Sequence, residues 1–311
     1  MDLFLNLAEQ LYSIKTHMRY LSTLLLLLAI ACTSTQPESK EIPQEETKMK
    51  ESYGGLALYT LRDTMAKDPK GVLKTVADIG YKYIEAAGYR EGKFYGMTPT
   101  EFKDYLAEIG IEPVSSHHGD VSLDNADQMI ADVKAAGFTY FVVPIPPMGH
   151  FKVDENGLGM SEEVEEITDI LNTIGEKCSA AGLVMLYHNH DMEFKENSKG
   201  IVPMDYFIEN TNPEHVKFQL DLYWATKAGV DPIAYFEKAP GRFKSWHMKD
   251  MDEEGRFAPV GNGTIDFANI LKSKDLSGME HFFVEQDRTF EQTPLEAITI
   301  SHKAIGELGM K

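Results

Sequence analysis

A short apolar strand segment followed by an amphipathic helix segment, repeated along the chain, is the feature that most restricts what this sequence can fold into. GLALYT (55–60) opens the series. PKGVLKTVADIG (69–80) follows, with Val72, Leu73, Val76 and Ile79 at three-to-four spacing and Gly80 as a stop. YKYIEA (81–86) reads as the second strand, and TPTEFKDYLAEIG (98–110) as a helix with Thr98 as cap and Pro99 at its first position. EPVSSHH precedes a helix from Ser122 to Gly137, and TYFVVP precedes a long helix from Ser161 to Gly182. LVMLYH is followed by the helix VPMDYFIEN, VKFQLD by DPIAYFEKA, and RFKSWHMKD by a helix from Ile265 to Leu271. EHFFVEQD and a helix from Thr293 to Gly309 close the series. Strands that alternate with helices pair in parallel. Eight such units in about 250 residues have the size of a (β/α)8 barrel. The competing open, doubly wound sheet usually carries a Gly-rich turn after its first strand, and GLALYTLRD has none.

The first fifty residues stand outside this pattern. Arg19 precedes the apolar run LSTLLLLLAIA (21–31). That run is short for a membrane span, which needs about 20 apolar residues, but has the layout of a secretory signal. It ends in Ala29-Ile30-Ala31-Cys32, similar to a bacterial lipobox with Cys32 as the lipidated residue. We expect residues 1–31 to be a signal peptide, with Met18 the more plausible start, and residues 32–52 to be a flexible tether rich in Ser, Thr, Pro, Gln, Glu and Lys. Residues 53–311 would then be the barrel, exported and anchored by lipid at a periplasmic or outer-membrane face.

Composition removes other classes. Lys plus Arg is 30 and Asp plus Glu is 49, a net charge of −19, which argues against a nucleic-acid partner. Cys32 and Cys178 are the two cysteines, so neither a disulfide framework nor a Cys-rich zinc site fits.

In a (β/α)8 barrel, catalytic groups project from the C-terminal ends of the strands. Those ends here carry Tyr59, Glu85, His117-His118, Pro144, His188-Asn189-His190-Asp191, Gln219-Leu220-Asp221, His247-Met248-Lys249-Asp250 and Glu285-Gln286-Asp287. Asp221, His247 and Glu285 come from three adjacent strands. With one more donor they suit one divalent ion, Mn2+, Mg2+, Co2+ or Zn2+. Lys249 lies two residues past His247 and so points the same way, toward a substrate oxygen or into a salt bridge with Asp250 or Glu285. His118, Glu85, Trp224 and Arg288 are candidate substrate-binding residues: His118 to reach the substrate or to hydrogen-bond behind it, Glu85 to orient a ligand or a hydroxyl, Trp224 to stack on a substrate ring or pack at the barrel rim, Arg288 to bind a carboxylate or pair on the surface. Gly261-Asn262-Gly263 reads as a turn that brings the chain near the site, and Cys178 as packing.

YHNHDMEF (187–194), QLDLYWATKAGVDP (219–232), WHMKD (246–250), PVGNGTIDF (259–267) and VEQD (284–287) together resemble motifs of the xylose isomerase-like TIM barrels, the sugar phosphate isomerase/epimerase superfamily. The likeness runs from about Gly54 to the C-terminus. It implies one divalent metal at Asp221, His247 and Glu285. The family's fourth ligand is usually a Glu at the end of strand 5. His188 stands there, with His190 as the alternative ligand. Epimerases of this family move a proton with two metal-touching carboxylates, one on each face of the substrate, and here one is missing. The resemblance therefore implies a metal-dependent isomerase/epimerase-family enzyme acting on an unphosphorylated sugar or keto-sugar. Glu285 would abstract a proton next to a carbonyl, with His190 and Lys249 as further catalytic groups. A lyase or hydratase on 3-keto-glycosides or keto-inositols is the alternative. A non-catalytic sugar-binding lipoprotein is a further one.

Overall fold

The computed structural model describes residues 52–310 except residue 156. The expected signal peptide, Met18, the lipobox at Cys32 and nearly all of the expected tether lie outside the described residues.

Eight strands of three to six residues form the barrel: β1 (Gly55–Ala57), β2 (Tyr83–Ala86), β3 (Glu112–His117), β4 (Tyr140–Val143), β5 (Val184–His188), β6 (Val216–Asp221), β7 (Phe243–Met248) and β8 (His281–Val284). Each is hydrogen-bonded in parallel to its sequence neighbours, and β8 pairs with β1 to close the ring. Helices α1 (Pro69–Ile79), α2 (Pro99–Ile109), α3 (Ala126–Ala135), α4 (Val164–Ala181), α5 (Pro203–Asn210), α6 (Pro232–Lys238), α7 (Phe267–Ile270) and α8 (Pro294–Glu307) follow the strands in turn.

Local chemistry sets these boundaries. Thr98 and Thr293 each form a reciprocal capping box with the glutamate three residues on, Glu101 and Glu296, and proline opens each helix. Gly80 ends α1 and Gly110 ends α2 in the left-handed conformation, with φ of 112° and 74°. Residues such as Leu73, Val76, Phe102 and Leu106 then bury the inner face of each helix against the outward side of the strands.

Several stretches depart from the sequence expectation, among them a helix at Leu222–Lys227 directly after β6. β1 stops at Ala57, and Leu58–Leu61 is a 3-10 turn. The helix after β3 starts at Ala126, because Ser122 and Asn125 close a turn on each other through Ser122 N–H to Asn125 Oδ1 (2.7 Å) and Asn125 N–H to Ser122 Oγ (3.3 Å). Phe151–Asp154 and Gly157–Met160 form an antiparallel hairpin before α4, so that helix begins at Val164. Cys178 is buried in α4, as expected.

Inside the barrel, side chains stack in layers. Ala57, Tyr83, Val114, Tyr140, Val142, Leu186 and Phe283 form an apolar plug. Nearer the C-terminal ends the inward side chains become polar. Register shifts in two places, where Pro113 and Ser115 face Ile84 and Glu85, and where Phe243 and Ser245 face Phe218 and Gln219. Such bulges re-aim side chains, and both lie directly below the polar layer.

Candidate active site

Glu85 at the end of β2 is the hub of that layer. It is 1% exposed. Its Oε1 lies 2.7 Å from His247 Nε2 and 2.8 Å from His117 Nε2. Its Oε2 accepts from Ser115 Oγ (2.6 Å) and Gln219 Nε2 (2.7 Å). Burial alone would raise the carboxyl, but His117 and His247 hold it well below its ordinary range. Gln219 also sets the histidines. Its Oε1 accepts from His117 Nε2 (2.9 Å) and His188 Nδ1 (3.1 Å), which leaves His188 Nε2 with a free lone pair. Burial, then the neighbouring His247, push His188 well below its usual value, so it is a neutral imidazole.

The next layer is a second hub, this one cationic. Lys249 is 1% exposed, and its Nζ lies 3.0 Å from Asp221 Oδ2, 2.7 Å from Glu285 Oε2 and 2.9 Å from Asp287 Oδ1. Burial opposes the charge, but these three carboxylates outweigh it and raise the ammonium well above its usual value. Burial also pushes up Asp221, and pushes Asp287 up to about 6. Glu285 goes the other way: burial is overcome by Lys249 and His247, and the carboxylate stays ionised.

His247 joins the two hubs. Its Nδ1 is 2.8 Å from Glu285 Oε2 and 3.8 Å from Asp221 Oδ2. Burial would lower it, but Glu285 and Glu85 raise it to about 10. Asp221, His247 and Glu285 place one donor atom each within 4.8 Å of one another. Two carboxylates and an imidazole whose other nitrogen is fixed by Glu85 are a fitting donor set for one divalent cation. His188 falls instead in an overlapping set with His117 and His247. The Lys249 ammonium meets two of the same carboxylate oxygens, so a bound ion would share them with it.

A cavity of about 490 Å³ opens at this end of the barrel, lined by His117, His188, His190, Trp224, Glu285 and Asp287, with Arg288 among the remaining lining residues. That size suits a small ligand. His190 is neutral, pushed down to about 3 by burial and by Lys249. Its backbone N–H donates to Glu193 Oε2 (2.8 Å). Glu193, fully buried and also bonded by Tyr187 Oη (2.7 Å), is pushed up by burial to about 7. The backbone N–H of Trp224 donates to Asp221 Oδ1 (2.9 Å), and its ring packs beside His190, with ring centroids 5.3 Å apart.

Several expectations need correction. His118 is not among the cavity-lining residues; it is 1% exposed and stacked on Phe141 at 4.4 Å, and His117 takes its place. Glu85 does not line the cavity, so it meets no substrate hydroxyl there; of its two expected roles it takes the other, orienting the candidate ligand His247, together with His117, from beneath. Lys249 pairs with Glu285 but not with Asp250. Asp250 accepts the N–H groups of Met251, Gly261, Gly263 and Ile265 (2.8–3.1 Å), which ties the Gly261–Gly263 turn to the strand end. Asp287 and Gln219 were not singled out as site residues, yet each lies two residues from one that was. The two-residue strand period that placed Lys249 beside His247 places Asp287 beside Glu285 and Gln219 beside Asp221.

The model of the xylose isomerase-like TIM barrel family matches residues 73–287, and the chain belongs to that family. It is 24% identical over 283 residues to an inosose dehydratase of Lacticaseibacillus casei, covering 83% of this chain and 85% of that protein. Matches to some other inosose dehydratases span about half of those proteins. Among solved structures, a sugar phosphate isomerase/epimerase from Parabacteroides distasonis aligns with a TM-score of 0.70 and 26% identity over 87% of this chain and 98% of its own. The IolI protein, solved with a zinc atom, aligns with a TM-score of 0.62 at 18% identity over 82% and 97% of the two chains, a likeness of fold.

Proposed function

We propose that this chain is a lyase that removes water from an unphosphorylated cyclic keto-polyol, a keto-inositol or a 3-keto-glycoside, and that it is not a two-carboxylate sugar epimerase. One observation carries the reading. Both carboxylates that line the cavity, Glu285 and Asp287, come from the end of one strand, whereas His117, His188 and His190 come from β3 and β5. Epimerisation by two carboxylates needs one on each face of the substrate. Elimination needs a base at the carbon beside the carbonyl and a proton for the departing hydroxyl. Glu285, kept ionised by Lys249 and His247, accepts the carbon-bound proton. Asp287, with its carboxyl pushed up to about 6, supplies a proton to the hydroxyl. Lys249 stabilises the negative charge that builds between these events, and His190 is placed to hydrogen-bond the substrate.

Asp221, His247 and Glu285, with His188 or His190 to complete the set, would hold the divalent ion that the family uses; when bound, it supplies Lewis acidity at the substrate carbonyl. The inosose dehydratase relatives support the elimination, and the zinc of the IolI structure supports the metal.

The test is incubation of Mn2+-loaded protein with a keto-inositol, a 3-keto-glycoside and free ketoses, read by NMR. An unsaturated ketone formed with loss of water supports the proposal. An inverted epimer with no water lost would return the chain to the epimerase reading.

A further inference from the structure

The mouth of the cavity carries two arginines the proposed reaction does not use. The chain has six arginines and a net charge of −19, yet Arg62 and Arg288 both line this one opening. Among the other described arginines, two are paired with carboxylates and the third directs its donors inside the fold. Arg90 pairs with Glu91 (3.7 Å), Arg256 with Asp252 (2.7 Å), and buried Arg242 donates to Thr211 Oγ1 and to the Ile208 and Val216 carbonyls. Among the described residues, neither Arg62 nor Arg288 has a carboxylate oxygen within 4.0 Å.

Arg62 is nonetheless fixed. Its Nη1 donates to the Tyr59 carbonyl (3.0 Å), its Nη2 donates to the Asp287 carbonyl (2.9 Å), and its guanidinium lies 4.4 Å over the Tyr59 ring. The bond to Asp287 brings it beside the neighbouring residue, Arg288. A guanidinium has five N–H donors, so two internal bonds leave three for a ligand, in an orientation already set. In a chain this acidic, a local pair of unneutralised cations is what an anionic ligand needs to approach.

We infer that this rim is a subsite for a carboxylate carried by the substrate, so that the preferred keto-polyol is a sugar acid. The inference rests on the reading that the cavity receives a keto-polyol. Guanidinium forks match a planar carboxylate in two-point contact, and the cavity lining includes no lysine of the kind that often assists phosphate binding. The arrangement puts the carboxylate at the mouth and the reacting carbons toward Glu285.

Binding of non-reacting probes tests this without catalysis. Titration calorimetry on the Mn2+-loaded protein compares D-glucuronate, D-glucose and D-glucose 6-phosphate. Charge-assisted hydrogen bonds of this kind change affinity by about tenfold or more. Glucuronate should therefore bind at least about tenfold more tightly than glucose, with a preference that shrinks as salt rises. An Arg62→Gln/Arg288→Gln double variant should lose that preference. Because Arg62 also bridges two chain segments, Arg288→Gln alone, which breaks no internal bond among the described residues, should reduce it several-fold. Equal affinity for glucuronate and glucose, an undiminished preference in Arg288→Gln, or tighter binding of the phosphate than of glucuronate would each overturn the assignment. If neutral keto-sugars are dehydrated and glucuronate shows no preference, this inference falls and the proposed reaction stands. If glucuronate binds as expected and no keto-sugar is turned over, the reaction falls and the subsite stands.

Discussion

Lys249→Met is the perturbation that most directly probes the electrostatics of the site. Methionine keeps most of the length and apolar volume of the side chain and removes its charge. In the native protein the ammonium sits within 3.0 Å of oxygens from Asp221, Glu285 and Asp287 at 1% exposure. Removing one partner of a buried ion pair costs about 3–5 kcal/mol, because the remaining charge is uncompensated. For a domain of this size each kcal/mol moves Tm by about 2–4 °C, so the loss is on the order of 10 °C. The sign of its pH dependence follows from Asp287, already pushed up to about 6 with the lysine present. Without Lys249 the carboxyls rise further, and the folded state takes up protons as pH falls through about 6. The loss should be largest near pH 8 and shrink by pH 5. The assay is calorimetric melting in the presence of a chelator at both pH values, followed by addition of Mn2+. The ion should restore more stability to the variant than it adds to wild type, since it takes over charge compensation at the same oxygens. A Tm within 1–2 °C of wild type at pH 8, or an equal loss at pH 5 and pH 8, would refute the reasoning.

Three further outcomes follow. Glu193 is pushed up from 4.5 to about 7, so its contribution to stability is complete below pH 4.5 and is lost as pH rises through about 7; the difference is about 3 kcal/mol, and Glu193→Gln should flatten the stability–pH slope across that window in chemical denaturation. Asp221→Ala removes one of the three clustered donors and should lower metal affinity by at least about 10–100-fold, the scale of losing even an outer partner, as read by metal analysis after dialysis; retained stoichiometric metal would refute the ligand assignment. We also propose that Cys32 is the lipid attachment point, so Cys32→Ala should release the protein from the membrane fraction, and a wild-type protein found in the soluble cytoplasmic fraction with residues 1–31 intact would contradict it.

The barrel was legible because its signals are local. Threonine caps with proline at the first helical position, glycine stops and apolar strands of fixed spacing state the alternation without reference to tertiary structure. Asp221, His247, Lys249 and Glu285 were legible for the same reason, being strand-end residues on a two-residue period. The choice between His117 and His118 was not legible. The register shift opposite Glu85 decides which side of β3 faces the axis, and that shift depends on pairing with β2. Glu85 reads in sequence as a strand-end carboxylate for a ligand or a hydroxyl, and only the convergence of β3, β6 and β7 shows it buried beneath two histidines. Arg62 lies in a helical turn, Arg62–Met65, where strand periodicity gives no signal, and its role depends on a carbonyl 225 residues away in the chain. The 151–160 hairpin was missed, although the Asn156-Gly157 dipeptide is a recognisable hairpin signal.

Proton transfer by Glu285 beside a carbonyl is the central claim, and solvent exchange measures it directly. Wild-type and Glu285→Gln proteins, both verified to carry full metal, are incubated in D2O with a keto-inositol or a 3-keto-glycoside and followed by NMR. The account predicts that wild type releases water and gives an unsaturated ketone, with deuterium entering residual substrate only at the carbon beside the carbonyl. It predicts that Glu285→Gln slows both events by about 10²–10⁴-fold, the usual scale for loss of a general base. Near-normal turnover by metal-loaded Glu285→Gln would contradict it, and would move the base to one of the histidines on the other side of the cavity.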